Sequence, residues 1–348
     1  MADFLGNKND NSLTGTADAD TIGGFGGNDI LKGLGGIDFI LGGNGNDVIE
    51  GGAGADFMDG QDGIDTLSYA SSPEGVLIVL GNAEGTVTMA SGGDAVGDQA
   101  LHFENITGSA FRDELVGNDF ANVLKGGAGD DDLFGGGGKD TLLGGAGDDF
   151  LSSGTGADIV NGGADVDEIS YFNGASGVTV TLGKNGAETI GKGGNAQGDR
   201  ISKVEDIFGS FYADKLTGNN LANTLDGVDG NDRLNGGGGN DTLSGNSGND
   251  TLIGGSGNDD LQGGPGGGND TFVFGRGFGH DTIEDFEGGF GLSDLIRFDK
   301  DVFATATAVL DASKQVAEDV VITKNANNTI TLRNVMLADV SVDDFSFF

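Results

Sequence analysis

Large apolar residues recur every nine positions along most of this chain, each standing two places after a polar oxygen and most of them two places before a glycine. Stepping by nine from Gly6 gives frames at Gly6, Gly15, Gly24, Gly33, Gly42, Gly51 and Gly60 with no insertion. Their sixth positions are Asn11, Asp20, Asp29, Asp38, Asp47, Asp56 and Asp65, and their eighth are Leu13, Ile22, Leu31, Ile40, Ile49, Met58 and Leu67. A second block, 108–170, carries Asp113, Asn122, Asp131, Asp140, Asp149, Asp158 and Asp167 at the sixth position. A third, 209–273, carries Asp214, Asn223, Asp232, Asp241, Asp250, Asp259 and, after two extra residues, Asp270. The best-formed frames, such as Gly42-Gly43-Asn44-Gly45-Asn46-Asp47-Val48-Ile49-Glu50, predict a six-residue turn followed by a three-residue strand. A strand that buries one side chain per nine residues cannot be covered within its own unit. Successive units must therefore stack as a solenoid, two to a coil, each strand pairing in parallel with the next coil.

Between the blocks lie two related inserts, 69–107 and 171–208, each opening on a tyrosine (Tyr69, Tyr171) and continuing into an apolar strand, Val76 to Leu80 and Val178 to Leu182. They predict strand pairs set into a larger repeat. From residue 274 glycine thins out, and strand-like runs appear at 319–323 and 329–335. The organisation expected is therefore roll 1–68, insert 69–107, roll 108–170, insert 171–208, roll 209–273 and a β-rich cap 274–348.

Composition sharpens this picture. The 348 residues include 71 Gly, 2 Pro, no Cys and no Trp, and the formal charge is -39, from 56 acids against 17 bases. With 36% hydrophobic residues, a large conventional core is not available to offset the conformational entropy of so much glycine. The acidic surplus excludes nucleic acid and anionic membrane as main partners, since both need clustered Lys and Arg. The natural partners are cations. The N-terminus is acidic and lacks the apolar run of a cleaved signal peptide. No transmembrane span is expected either, the longest strongly apolar run being Val76 to Leu80.

Glycine in the turns reaches positive φ without penalty and lets backbone carbonyls close on a ligand beside the Asp side chain. Stacked coils about 4.8 Å apart place the Asp residues of alternate units in columns. Two unit charges at that spacing repel by roughly 0.9 kcal/mol even in bulk water, and more near a protein surface. A hard divalent cation between rungs reverses that sign. Calcium fits best, because it accepts six to eight oxygens in loose geometry, whereas magnesium wants a tighter octahedron and keeps its waters.

The Gly-Gly-x-Gly-x-Asp-x-apolar-x units resemble the repeats-in-toxin (RTX, haemolysin-type) calcium-binding family over roughly 6–68, 108–170 and 209–273. The resemblance implies an all-β fold, a right-handed parallel β-roll with calcium between its turns. It assigns on the order of ten Ca²⁺ to glycine-complete turns, with Asp20, Asp29, Asp38, Asp47, Asp56, Asp65, Asp131, Asp140, Asp149, Asp158, Asp167, Asp232, Asp241, Asp250, Asp259 and Asp270 as ligands. The first two turns of blocks two and three depart from the pattern, with Phe111, Phe120, Tyr212 and Leu221 at the fourth position, and are expected to bind calcium poorly. The segment from Phe274 to Phe286, with Asp294 to Phe298, is similar to the cap of serralysin-type proteases and polysaccharide epimerases. The last six residues, Asp343 to Phe348, resemble an uncleaved type I export signal, which implies the type I secretion apparatus as a partner.

Other chemistry finds little support. His102 and His280 are the only histidines, lie in separate modules and are expected to be structural or exposed. There is no His-Glu-x-x-His motif, so the protease chemistry of serralysins is not expected. Lys139 follows a glycine but is followed by Asp140, which breaks the phosphate-loop pattern. The expectation is a non-catalytic, secreted bacterial protein that folds on meeting extracellular calcium and acts at a surface, in a matrix or on a host, with a surface polysaccharide or host component as partner. Two alternatives compete. One is the export and folding module of an extracellular enzyme, for which the early start of the repeats leaves no room for a catalytic part; the other is a membrane-active toxin or cation pore, disfavoured by the lack of long apolar segments.

Overall fold

The structure, a computed structural model, describes residues 2–82, 87–265, 268–289 and 294–348, with backbone alone at Thr88. Parts of the first insert (83–86), of the last repeat (266–267) and of the cap (290–293) therefore lie outside the described residues. The chain divides into two compact units, Met1–Glu168 and Ile169–Phe348.

In the first unit, alternate repeat strands segregate to opposite sheets. Asp3–Asn7, Thr21–Gly26, Phe39–Asn44 and Phe57–Asp62 pair in parallel, and Gln99–Leu101 from the first insert closes that sheet. Opposite them run Ser12–Thr14, Ile30–Gly35, Val48–Ala53 and Thr66–Ser68, continued by Asn105–Thr107, Val123–Ala128, Thr141–Ala146 and Ile159–Ala164. Thr21 faces Phe39, which faces Phe57, so strands pair with the unit after next and two units make a coil. The insert supplies rungs to both neighbours. Its strand Leu77–Leu80 pairs antiparallel with Val87–Ser91 and parallel with Glu114–Val116, starting the sheet that continues through Asp132–Phe134 and Phe150–Ser152.

The second unit repeats the arrangement. Thr179–Thr181, Lys215–Thr217, Arg233–Gly238, Thr251–Ser256, Thr271–Phe274, Leu295–Phe298 and Phe345–Phe347 form one parallel sheet. Asp206–Phe208, Thr224–Asp226, Thr242–Ser244, Asp260–Gln262 and His280–Ile283 form the other, which Asn328–Leu332, Asp319–Asn325 and Ser313–Val316 extend. The last two joints are antiparallel, which turns the stack into a cap. The only α-helix among the described residues, Ala306–Asp311, is capped by the Thr305 side chain.

Burial follows the nine-residue pattern. The eighth-position side chains point inward in columns, Ile22 on Ile40 on Met58, Leu115 on Leu133 on Leu151, and Leu216 on Leu234 on Leu252. All nine of these are fully buried. A buried Leu or Ile contributes roughly 1.5–3 kcal/mol relative to its exposed state, so the core is a narrow ladder of single side chains. The cap adds a cluster of aromatic rings, with Phe298 packed against Phe274, Phe303, Phe345 and Phe347.

One feature differs from the expected six-plus-three division. In Thr21–Gly26 and its partners the ladder continues through the first turn residues, pairing Phe25 with Gly43 and Gly26 with Asn44. The turns thus stack as closely as the strands. At Gly145, with φ of +131°, a Cβ would lie 2.1 Å from the carbonyl oxygen of Gly127 on the preceding coil, so no side chain fits. Leu133, fully buried between Leu115 and Leu151, tests the core directly. Leu133→Ala is expected to cost about 2–5 kcal/mol in urea unfolding with calcium present, and an unchanged transition would contradict this packing.

Candidate metal centre

The sixth-position carboxylates line the inside of the turns, where one oxygen of each is held by the main chain. The N–H of Asp20 donates to Oδ1 of Asp38 at 2.7 Å, and that of Asp38 to Oδ1 of Asp56 at 2.8 Å. The parallel column runs from Asn11 through Asp29 and Asp47 to Asp65. In the second block one column links Asp113, Asp131, Asp149 and Asp167, and the other links Asn122, Asp140 and Asp158. In the third, one links Asp214, Asp232, Asp250 and Asp270, and the other Asn223, Asp241 and Asp259. Each rung thus bonds to the rung eighteen residues on, or slightly more near the cap. Apart from Asn11, which is half-buried, these side chains are at most 4% exposed, so the columns are interior and not a solvated acidic face.

The second oxygen divides the columns into two kinds. Oδ2 of Asp29, Asp38, Asp47, Asp56, Asp65, Asp131, Asp149, Asp232, Asp241, Asp250 and Asp259 is buried and receives no hydrogen bond. Oδ2 of Asp20, Asp113 and Asp214 is instead satisfied within its own turn, by the backbone N–H of Thr16, Ser109 and Ser210 and by hydroxyls of the same residues at one or other oxygen. The structure therefore places Asp20 with Asp113 and Asp214 and not with the remaining expected ligands. Asp140, Asp158, Asp167 and Asp270 take successive rungs of the same columns.

A buried carboxylate oxygen with no donor is costly unless a cation meets it. The surrounding atoms fit that requirement. A Cβ built on Gly24 would lie 2.2 Å from Oδ2 of Asp29 and 2.5 Å from the carbonyl oxygen of Gly42 on the next coil. Beside Gly33 the corresponding distances are 2.2 Å to Asp38 and 2.4 Å to Gly51, and beside Gly144 they are 2.1 Å to Asp149 and 2.6 Å to Gly162. Two acceptors converge on one point with no hydrogen to share. Among the described residues no three His, Asp or Glu side chains gather as a metal cluster, so a bound ion must draw on main-chain carbonyls, which calcium accepts readily. When bound, it would supply the positive charge that the columns lack.

Burial also shifts the acids. It pushes Asp56, Asp149 and Asp270 up to about 6, Asp65, Asp131 and Asp241 up to about 7, and Asp232 up to about 8. The backbone N–H bond at Oδ1 pulls each of them down, less strongly than burial raises it. At Asp20 the bond from Ala2 dominates and holds the carboxyl below its ordinary value.

Further rungs lie outside the repeat pattern. Asp98 and Glu104 of the first insert end the two columns of block one, accepting from the N–H of Asp56 and Asp65. Asp281 and Asp294 extend the columns of block three into the cap, accepting from Asp259 and Asp270. Asp98 and Asp281 are raised to about 7 and about 8 by burial. The signal for them was the triplet of acid, any residue and apolar residue, as in Asp281-Thr282-Ile283, Asp294-Leu295-Ile296 and Glu104-Asn105-Ile106. The two histidines sit apart from the columns, His102 against Asp59 at 2.6 Å and His280 against Thr329 at 2.9 Å.

These shifts fix a pH dependence. A carboxyl whose folded value lies above its unfolded 3.8 makes the calcium-free fold most stable at low pH, and that stability is lost as pH rises through about 6–8. In EGTA, the β signal in far-UV circular dichroism is expected to fall between pH 5.5 and pH 8. The stabilisation added by calcium should grow over the same range, because the ion displaces protons. A calcium-free β signal that rises with pH would contradict the burial of these acids.

Comparison with curated proteins gave no match. Among solved structures, an extracellular lipase, LipA, from Serratia marcescens is similar over 69% of this chain and 39% of its own length, at 21% identity and a TM-score of 0.29. The RTX calcium-binding nonapeptide repeat (4 copies) matches residues 5–40, 32–67, 107–142, 134–169, 205–234, 217–252, 235–267 and 244–283. These matches cover more than half of the sequence and coincide with the three runs of buried Asp columns, so the chain belongs to the RTX calcium-binding nonapeptide repeat family.

Proposed function

We propose that this chain is a non-catalytic, secreted calcium-binding protein, and that the donor-free Asp residues of its turns are the ligands that make folding conditional on calcium. The observation that carries this reading is the column of buried carboxylates, each with one oxygen bonded to the backbone and the other facing a carbonyl with no proton between them. Without a cation such columns concentrate like charge in a dry interior, which opposes folding. In a compartment poor in free calcium the chain then stays extended and can pass a narrow exporter. Outside, calcium reverses the balance, and binding to the folded state alone supplies the free energy that the sparse core does not.

The end of the chain agrees with this order of events. Phe345–Phe347, within the segment that resembles a type I export signal, pairs with Leu295–Phe298 in the folded cap, so folding engages a segment that the extended chain leaves unpaired. A non-catalytic role is supported by the use of the turn acids, which are buried and bonded into the ladder rather than presented to a substrate. No helix among the described residues is long and apolar enough to cross a membrane. The expected site of action is a cell surface, matrix or host.

Far-UV circular dichroism during titration from EGTA into millimolar calcium, with magnesium as control, tests the proposal. A steep rise in β signal with calcium alone is expected, since magnesium holds its waters and demands a tighter shell. A β spectrum already complete in EGTA would remove the folding switch.

A further inference from the structure

The repeat turns differ in one backbone angle, and that angle separates the donor-free carboxylates from the satisfied ones. In the turns of Asp29, Asp38, Asp65, Asp232 and Asp250 the second position is Phe25, Leu34, Gln61, Val228 and Asn246, and each has φ between +63° and +78°. These are non-glycine residues in the left-handed region, which is uncommon and costly. In the turns of Asp47, Asp56, Asp131, Asp140, Asp149, Asp158, Asp167, Asp241, Asp259 and Asp270 the second position is a glycine with φ between +84° and +136°. Among the described residues none of Asn7, Thr16, Ser109, Asn118, Ser210 and Asn219, the second positions of the remaining turns, has positive φ.

The angle decides where one N–H points. At those six residues it donates back into the turn, to the side-chain oxygen of Asn11, Asp20, Asp113, Asn122, Asp214 and Asn223, at 2.5–2.8 Å. In left-handed turns it leaves: Gln61 donates to Oδ1 of Asp59 and Val228 to Oδ1 of Asp226. The carboxylate oxygen is then without a donor.

We infer that the backbone conformation of the second turn residue selects which turns bind calcium, so that the opening turns of each block form without metal and the later ones do not. This rests on the calcium reading above. A turn whose own N–H already occupies the inner oxygen offers a cation a saturated acceptor, and the Ser or Thr hydroxyl of Ser109, Ser210 and Thr16 adds a second internal donor. Each block thereby starts on two turns that are complete by themselves. They give the following coils a surface on which to stack, as the end repeats of a solenoid require. Aromatic or apolar side chains at the fourth position of four of these turns, Phe111, Phe120, Tyr212 and Leu221, stand 42–57% exposed, as outward-facing residues of turns that need not close on an ion.

The test counts calcium bound at saturation, by equilibrium dialysis or native mass spectrometry, on the full chain. Ser109→Gly with Phe111→Gly, and Ser210→Gly with Tyr212→Gly, free the second and fourth positions to turn left-handed and are expected to raise the calcium bound per chain above wild type. Ser109→Ala keeps the N–H in place and is expected to leave it unchanged. Should the glycine variants not fold, substitutions by alanine decide: Asp113→Ala and Asp214→Ala are expected to leave the count as in wild type, while Asp149→Ala lowers it. Glycine variants that fold and bind no more calcium than wild type would overturn the inference and leave the calcium reading intact, as would a loss of bound calcium in Asp113→Ala equal to that in Asp149→Ala. A wild-type chain that binds no calcium would overturn both.

Discussion

The structure depends on a carboxylate that is buried before its charge is fully met. Each donor-free Asp of the repeat turns gives one oxygen to the N–H of the rung before it, which fixes the side chain and ties successive coils together. The other oxygen faces a main-chain carbonyl across the turn. Two acceptors facing one another inside a protein destabilise the fold unless a proton or a cation lies between them. Burial has already drawn the proton affinity of several of these acids towards neutrality, so protons and calcium compete for the same place.

Much of the remaining architecture follows from that requirement. The turns must stack as tightly as the strands, because carbonyl and carboxylate belong to adjacent coils, and this is why glycine recurs where a Cβ would strike the neighbouring backbone. The core can stay thin, one side chain per repeat, because inter-coil hydrogen bonds and the ions share the work of holding coils together. The ends need separate treatment, since an end coil has a partner on one side only. Insert strands supply rungs at one kind of end, and the antiparallel strands and phenylalanine cluster of the cap supply the other.

The inserts are better understood as parts of the ladder than as additions to it. Asp98 and Glu104 accept the last N–H groups of block one, and Tyr69, almost wholly buried, donates its hydroxyl to Asp98 at 3.0 Å. The related Tyr171 and Asp199 make the same contact in the second unit, at 3.3 Å. A column of carboxylates therefore ends on another acid held by a tyrosine, which keeps the ladder of donors and acceptors unbroken where the nine-residue spacing lapses.

From its sequence alone this chain declared its period, its inward-facing apolar column and the kind of ion its acids require, because a strict spacing of glycine, Asp and a large apolar residue has few other physical explanations. The rungs at Asp281 and Asp294 were legible only as triplets, since the spacing that marks the repeats is lost where the cap begins. The difference between Asp113 and Asp149 showed in the sequence only through Phe111 at the fourth position of the turn, and that between Asp20 and Asp149 was not legible from the acids, which are the same residue at the same position of the unit. It is decided by the direction of one N–H, and that direction is set by a backbone angle adopted by Phe25, Leu34 and Val228 as well as by glycine. No intrinsic preference puts those three side chains in the left-handed region. The stacking of each turn against the coils on either side holds them there, and only the tertiary structure contains that contact.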